Sequence, residues 1–463
     1  MLIIENAGLD VDALRTAIAG EVVVPGDASW DTARAAWNLA VDQRPAAVVL
    51  PESAADVVAA VRAVRAAGLR VAAQGTGHNA APLGDLSDAV LVKTERMRGV
   101  AVNAAERRVR VEAGVTWGEV VGPVQAHGLA ALAGSSHDVG VVGYTLGGGL
   151  SWLARSKGMS ANSVHAIEIV LADGRLVRCD AANEPDLFWA LRGGGGSFGV
   201  VTAIELDLYE LPQVYAGMLV FDWERSAEVL HAWREWTHGV PDEVTSVGRI
   251  LQLPPLPEIP EPVRGRRLAV VEVIYAGDDA EQAERIVAPL RALGAEIDTM
   301  RLQPTAELIT LHMDPPGPVP GKGDGAMLET ATPETIEALV AVAGPGSGSP
   351  LLSVELRHLG GAVGRSSADH GAANTLQGDY VMFAVGMAMT PEMGHAVEEH
   401  VDAVKAALRP WDAGKRYLNF AERPIDTRHA YAAAGTYARL RAVKTLVDPE
   451  NLFRANHPIE PIR

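Results

Sequence analysis

The chain has a single cysteine, Cys179, in 463 residues. An intrachain disulfide, a CxxC redox pair and a cysteine-cluster metal site are therefore excluded. Basic residues are also short, with 40 Lys and Arg against 58 Asp and Glu and a formal charge of −18. A nucleic-acid backbone or an anionic membrane surface selects basic patches, so neither is expected as a partner. No apolar run reaches bilayer-spanning length, and the opening MLIIENAGLD lacks the basic start and long apolar core of a secretory signal. A cytoplasmic protein is the expectation. His395 and His400 share one helical pattern but diverge around it by about 140°, and the other histidines, His137 apart, form no constellation, so no metal is expected.

What is present is ordinary for a large folded chain: 48% hydrophobic and 21% charged residues. At 463 residues the chain exceeds one ordinary core, which implies two domains, with one free to interrupt the other. An α/β grammar opens at AAVVLPE, a strand. Ser53 and Asp56 then resemble a capping box, and Val57, Val58, Val61 and Val64 space a helix that ends at Gly68. The next strand runs into VAAQGTGHNAA (residues 71–81), where glycines let backbone approach a ligand and His78 stands among small residues. RVRVEAG alternates strictly, a helix follows over 116–127, and Asp173-Gly174 marks a hairpin whose second strand holds Cys179.

Two further stretches are glycine-rich. In GSSHDVGVVGYTLGGG a helical pattern runs into Gly147, Gly148 and Gly149, each costing about 1 kcal/mol relative to alanine. Either a flat ligand or phosphate on bare backbone, or a close helix crossing, compensates. LFWALRGGGGSFGVVT passes through Gly193 to Gly196 into a strand near Gly199. After Leu211-Pro212 the composition shifts. Strand-like runs at 215–222, 247–253, 268–276, 352–359 and 380–389 alternate with helical patterns and with Pro/Gly loops such as LPPLPEIPEP, PPGPVPGKGDG and GPGSGSP. This is the grammar of an α+β domain with an antiparallel sheet.

QGTGHN, GSSHDVGVVGYTLGGG, LFWALRGGGGSFGVVT and the tail pieces YLNF and VDPENLFRANHPI, in this order, resemble the berberine bridge enzyme-like flavoprotein oxidases of the vanillyl-alcohol oxidase type. The resemblance covers most of residues 45–212 and about 410–463. It implies an α+β fold: a PCMH-type two-subdomain FAD-binding domain over 1–212 (core about 41–212), an inserted substrate domain over 213–410 built on an antiparallel sheet flanked by helices, and a C-terminal segment, 411–463, that completes the FAD domain. It also implies an FAD whose pyrophosphate is cradled by Gln74, Gly75, Thr76, Gly77, Asn79 and Ala80, and by Ser135, Ser136, His137, Asp138, Val139 and Gly140. Such a cradle suits the charge argument, since amides rather than lysines would hold the phosphates. Gly143, Tyr144, Gly147, Gly148 and Gly149, then Gly199, Val200 and Val201, and in the tail Tyr417, Asn419 and Asn456, complete the implied cofactor contacts. His457 accompanies Asn456 as a neighbour for the flavin N1–C2=O edge.

The resemblance implies a covalent bond from His78 to the flavin 8α-methyl. His78 capping its own turn is the alternative. Some members carry a second, cysteine tether where this chain has Ser136, so a single link is expected. Where the tail motif often has a second tyrosine this chain has Phe420, which accepts no proton. A small residue at the position of Val139 is associated with oxygen access, which favours an oxidase.

Flavin oxidation needs a substrate C–H aimed at N5 and a base for the second proton. In LLSVELRHLGG, alternation sets Ser353, Glu355 and Arg357 on one face against Val354, Leu356 and His358 on the other. The polar face is expected toward the flavin, with Glu355 as base or orienting group and Arg357 as its partner or as the anchor of an acidic substrate. A structural Glu–Arg pair is the alternative. Tyr417 ranks first as base, then Glu355, then Asp369. The expected protein is an FAD-dependent oxidase of a hydroxylated or aromatic small molecule, of secondary-metabolite or sugar type, using O2 and releasing H2O2, as a monomer or homodimer. A dehydrogenase with another acceptor and a flavin-bearing binding protein are the alternatives.

Overall fold

The structure, a computed structural model, describes residues 8–462. Its first sheet is built from short, largely buried runs: Ala47–Leu50, Ala89–Lys93 and Arg70–Gln74 pair in parallel, as apolar strands covered on both faces do. Ser53 caps the helix Ala54–Ala66 by accepting from the Asp56 amide. The Asp56 carboxylate does not close the box on Ser53. It accepts from the amides of Ala19, Gly20 and Glu52 and so ties the N-terminal segment to this helix. Gly68, at φ +71°, turns the chain into Arg70–Gln74, which delivers it to the turn at 75–80. The tail returns here too, since Phe453–Arg454 pairs in parallel on the outer side of Arg70–Gln74.

A second, five-stranded antiparallel sheet follows in the order Val100–Asn103, Arg108–Glu112, Val200–Asp207, Val164–Val170, Leu176–Cys179. The alternation of RVRVE buries Val109 and Val111 completely, and Gly174, at φ +77°, makes the hairpin turn. Cys179 is buried with its thiol on the Ile167 carbonyl, and burial pushes that thiol up to about 12, so it stays protonated.

The third sheet is eight-stranded and antiparallel. Its strands Gln213–Asp222, Val244–Gln252, Arg267–Tyr275, Ser353–His358 and Tyr380–Met387 fall within a few residues of the alternating runs read above. One strand contradicts the loop reading of PPGPVPGKGDG: Gly321–Leu328 pairs with Tyr380–Met387 at the sheet edge. Three glycines mask it, because glycine is depleted in strands. Gly325 has a packing reason, since a Cβ there would lie 2.9 Å from the Phe420 Cβ.

Helices Ser226–Thr237, Ala280–Arg291, Pro333–Ala343 and Pro391–Leu408 cover one face of this sheet, and Val354 and Leu356 join their core. The other face meets the first domain, where Met327 and Val381 join Leu150, Ala154, Met159 and Tyr417. Glu355 and Arg357, alternating with Val354 and Leu356, therefore look toward the first domain.

Candidate active site

Two turns face each other at the heart of the first domain. Residues 75–80 leave Arg70–Gln74, and residues 135–140 lead into the helix Val141–Leu146. Among the described residues, none of the backbone amides of 75–80 or 135–140 donates a hydrogen bond within the protein. Buried amides are almost always paired, so a run of unpaired donors without a lysine or arginine among them fits an anion such as a pyrophosphate. Buried side-chain atoms repeat the pattern, because Gln74 Nε2, Asn79 Oδ1 and the Tyr144 hydroxyl have no partner. The residues present thus fit an FAD: the unpaired amides of the two turns suit its phosphates, and Gln74, Asn79 and Tyr144 offer free polar atoms.

His78 does not cap its own turn. Its Nε2 reaches across to Asp138, 3.2 Å from both the carbonyl oxygen and Oδ1, and its ring stacks on Trp37 with centroids 3.9 Å apart. Trp37 Nε1 donates to Asp138 Oδ2 at 2.5 Å and Ser136 Oγ to Oδ1 at 2.8 Å. Burial pushes the Asp138 carboxyl up, but the bonds from His78, Ser136 and Trp37 outweigh it and hold the group down at about 2. Trp37 belongs to a strap that crosses between domains: its amide donates to Thr76, and Asn38 Nδ2 donates to Gly321. Nothing local in the sequence marks Trp37, because its partners lie far along the chain.

The tail closes over the same turn. Asn79 Nδ2 donates to the Leu418 and Ala421 carbonyls, His457 Nε2 to the Leu418 carbonyl, and Asn456 Nδ2 to Asn79 O at 3.5 Å. Asn419 Nδ2 bonds both the Tyr144 carbonyl and the Tyr417 hydroxyl, which also accepts from the Leu150 amide at 2.8 Å. This tail answers the question left open by the glycine run. The helix ends at Gly147, and a Cβ there would lie 1.8 Å from Asn419 Oδ1. Gly148 and Gly149 take positive φ against Met159, Tyr417, Tyr144 and Ser160. Close approach of protein side chains, rather than a cofactor, occupies the space beside Gly147 to Gly149. Gly199 is equally filled, by Val170 and Ile169, and Val200 and Val201 lie in the sheet core, so these three offer a ligand no side-chain space. Gly143 is open, with nothing near its Cβ position, and His137 and Val139 are part-exposed and hold Gly118 and Trp117 through their carbonyls.

Across from the tail, the third sheet carries a buried charge cluster. Arg357 Nε donates to Glu355 Oε1 at 2.6 Å, and His312 Nε2 lies 2.9 Å from Glu355 Oε2 in a contact that is ionic rather than a directed hydrogen bond. His312 Nδ1 meets Glu272 at 2.8 Å, and Arg249 joins Glu272 at 3.0 Å. Burial and Arg249 push His312 down, but Glu272, Glu355 and Asp314 prevail and raise it to about 9. Burial pushes Glu355 up, yet Arg357, His312 and Arg249 hold it well below the carboxylate range. Glu355 is therefore an orienting counter-ion and a poor base. With His312 protonated, the cations Arg249, His312 and Arg357 face the carboxylates Glu272, Glu355 and Asp314, so the cluster balances. Arg357 spans Trp152 and Phe420, with its guanidinium carbon 5.6 and 5.0 Å from their centroids. His312 belongs to no constellation in the sequence; it precedes a proline-rich loop, and its partners come from strands remote in sequence.

Tyr417 is buried beside Phe420, 5.1 Å between centroids. Burial pushes its phenol upward, against the bonds from Leu150 and Asn419 and the Arg357 charge. Asp369 is not brought to this group: it lies exposed on a loop, and its carbonyl takes Arg192.

Comparison with known proteins agrees with this geometry. Residues 45–180 match the family described as FAD binding domain, and residues 416–460 match the family described as berberine and berberine like. The chain is 26% identical over 97% of its length to an uncharacterised FAD-linked oxidoreductase, YgaK, of Bacillus subtilis, covering 98% of it. It is 28% identical to (R)-6-hydroxynicotine oxidase of Paenarthrobacter nicotinovorans, over 96% of this chain and 97% of that one. The solved 6-hydroxy-D-nicotine oxidase of Arthrobacter nicotinovorans superposes with a TM-score of 0.81 at 26% identity, over 96% of this chain and 98% of that one.

Proposed function

We propose, for a chain that is an FAD-dependent oxidoreductase of the berberine bridge enzyme-like group, the oxidation of a hydroxylated or aromatic small molecule with O2 as acceptor and H2O2 as product. The observation that carries this reading is the meeting of two amide-lined turns with a buried charge cluster, its Arg357 walled by Trp152 and Phe420, through one tail segment. FAD, when bound, supplies the hydride acceptor and the route of two electrons to an oxidant.

The rest falls to the chain. The amides of 75–80 and 135–140 hold the phosphates, and His78 tethers the flavin alone, Ser136 being unable to form a thioether. Arg357 anchors an oxygen or anionic group of the substrate through Nη1, since its Nε is committed to Glu355 and its Nη2 lies against His312. The Arg357 guanidinium stabilises a substrate oxygen as it loses its proton. Tyr417, whose hydroxyl accepts from Leu150 and Asn419, has its own O–H left to donate or exchange at the reacting oxygen. Support for O2 as acceptor comes from the relatives named as oxidases. Tailoring of secondary metabolites in the cytoplasm, by a monomer or homodimer, belongs to the same proposal. Among the described residues no helix is long and apolar enough to cross a membrane.

The test is anaerobic addition of phenols, alcohols and sugars to the purified yellow protein. Bleaching by a hydroxylated aromatic, and recovery of colour with H2O2 on admitting air, is the expected result. Colour that returns only with an artificial acceptor would make it a dehydrogenase.

A further inference from the structure

His78 Nε2 faces two acceptors, the carbonyl oxygen and Oδ1 of Asp138, both at 3.2 Å. A nitrogen between two acceptors must carry a ring proton, so in the neutral imidazole it is Nδ1 that holds the lone pair. Among the described residues Nδ1 has no hydrogen-bond partner. The carboxylate is itself fixed, by Ser136 Oγ on Oδ1 and Trp37 Nε1 on Oδ2. The Trp37 ring, 3.9 Å away and inclined by 22°, prevents the imidazole from tipping. Ser136 thus serves here as a clamp on Asp138.

We propose that Asp138, clamped by Ser136 and Trp37, is the positioning residue for covalent flavin attachment, presenting Nδ1 of His78 as the nucleophile. The proposal rests on the reading that His78 carries the flavin. In the step, a proton leaves the flavin 8-methyl carbon, the Nδ1 lone pair forms the C–N bond to that carbon, and the two electrons released reduce the flavin. O2 takes those two electrons, with the methyl proton and the imidazole Nε2 proton, as H2O2. While Nε2 still holds its proton the ring is cationic, and Asp138 lies beside that charge.

Full-length protein prepared under riboflavin limitation is mixed with FAD, and covalent attachment is followed by intact mass and by fluorescence of acid-denatured protein. The expected result is a wild type that becomes covalently loaded, and an Asp138→Asn variant that binds FAD reversibly but attaches it at least about tenfold more slowly, as expected for loss of a positioned charged group. Trp37→Phe, which keeps the stack and loses the N–H, is expected in between. Attachment by Asp138→Asn at the wild-type rate overturns the proposal. Should Asp138→Asn not fold, Ser136→Ala decides: it keeps the charge and loses one clamp, and an unchanged rate counts against the proposal. A wild type whose flavin washes out in acid refutes the His78 tether itself, a result distinct from failure of the Asp138 role.

Discussion

Replacing Glu355 by glutamine tests the buried cluster at its centre. The substitution keeps the shape and removes one charge, leaving Arg357 and His312 without the carboxylate that lies 2.6 and 2.9 Å from them. At an effective dielectric of about 20, unit charges at such distances attract by roughly 6 kcal/mol. Recovered solvation of the removed carboxylate offsets part of this, and breaking a buried pair from one side costs about 3–5 kcal/mol. The effect on pH dependence follows from His312. Its value is raised to about 9 from 6.5, so the stability it contributes is complete below about 6.5 and is lost as pH rises through about 9. The lift corresponds to ~3 kcal/mol and is shared by Glu272, Glu355 and Asp314. Glu355→Gln should therefore lower the melting temperature by several degrees and move the alkaline loss downward by about one pH unit. Thermal unfolding from about pH 6 to about pH 10 reads both effects. Superposable profiles for variant and wild type would refute the view that Glu355 and His312 share charge in the folded state.

Gly147→Ala should displace Asn419, because the new Cβ would lie 1.8 Å from Asn419 Oδ1; a loss of about 1–3 kcal/mol is expected by thermal unfolding, with weakened flavin retention. Tyr417→Phe removes the hydroxyl that Leu150 and Asn419 donate to, and should slow flavin reduction by about 10²–10⁴ in stopped flow while costing only ~1–3 kcal/mol of stability. Asp369→Asn should leave reduction unchanged within error, since its side chain is exposed; a slowdown like that of Tyr417→Phe would return it to the site. Arg357→Gln should raise KM for a substrate with an anionic or hydroxyl oxygen by about ten- to hundredfold, with steady-state kinetics as the measure.

Local chemistry was legible wherever neighbours in sequence carry the information. Alternation in RVRVE and SVELRH set strand faces correctly, because side chains of a strand point to opposite sides whatever the strand pairs with. Ser53 marked a helix start, and Gly68 and Gly174 marked turns, through backbone preferences of single residues. The glycine strand Gly321–Leu328 was illegible because sheet pairing, not propensity, holds it.

By itself the sequence determined the glycine turns, the position of His78 among small residues and the order of four motifs that mark an FAD protein. Only the tertiary structure decided what surrounds them. Trp37, Ser136 and Asp138 meet at His78, and Arg249, Glu272 and His312 meet at Glu355, over separations where no periodicity carries a signal. The glycines at 147–149 show the division most plainly: the bare backbone could be read from the sequence, but which neighbour needed the space depended on a tail that returns from the far end of the chain.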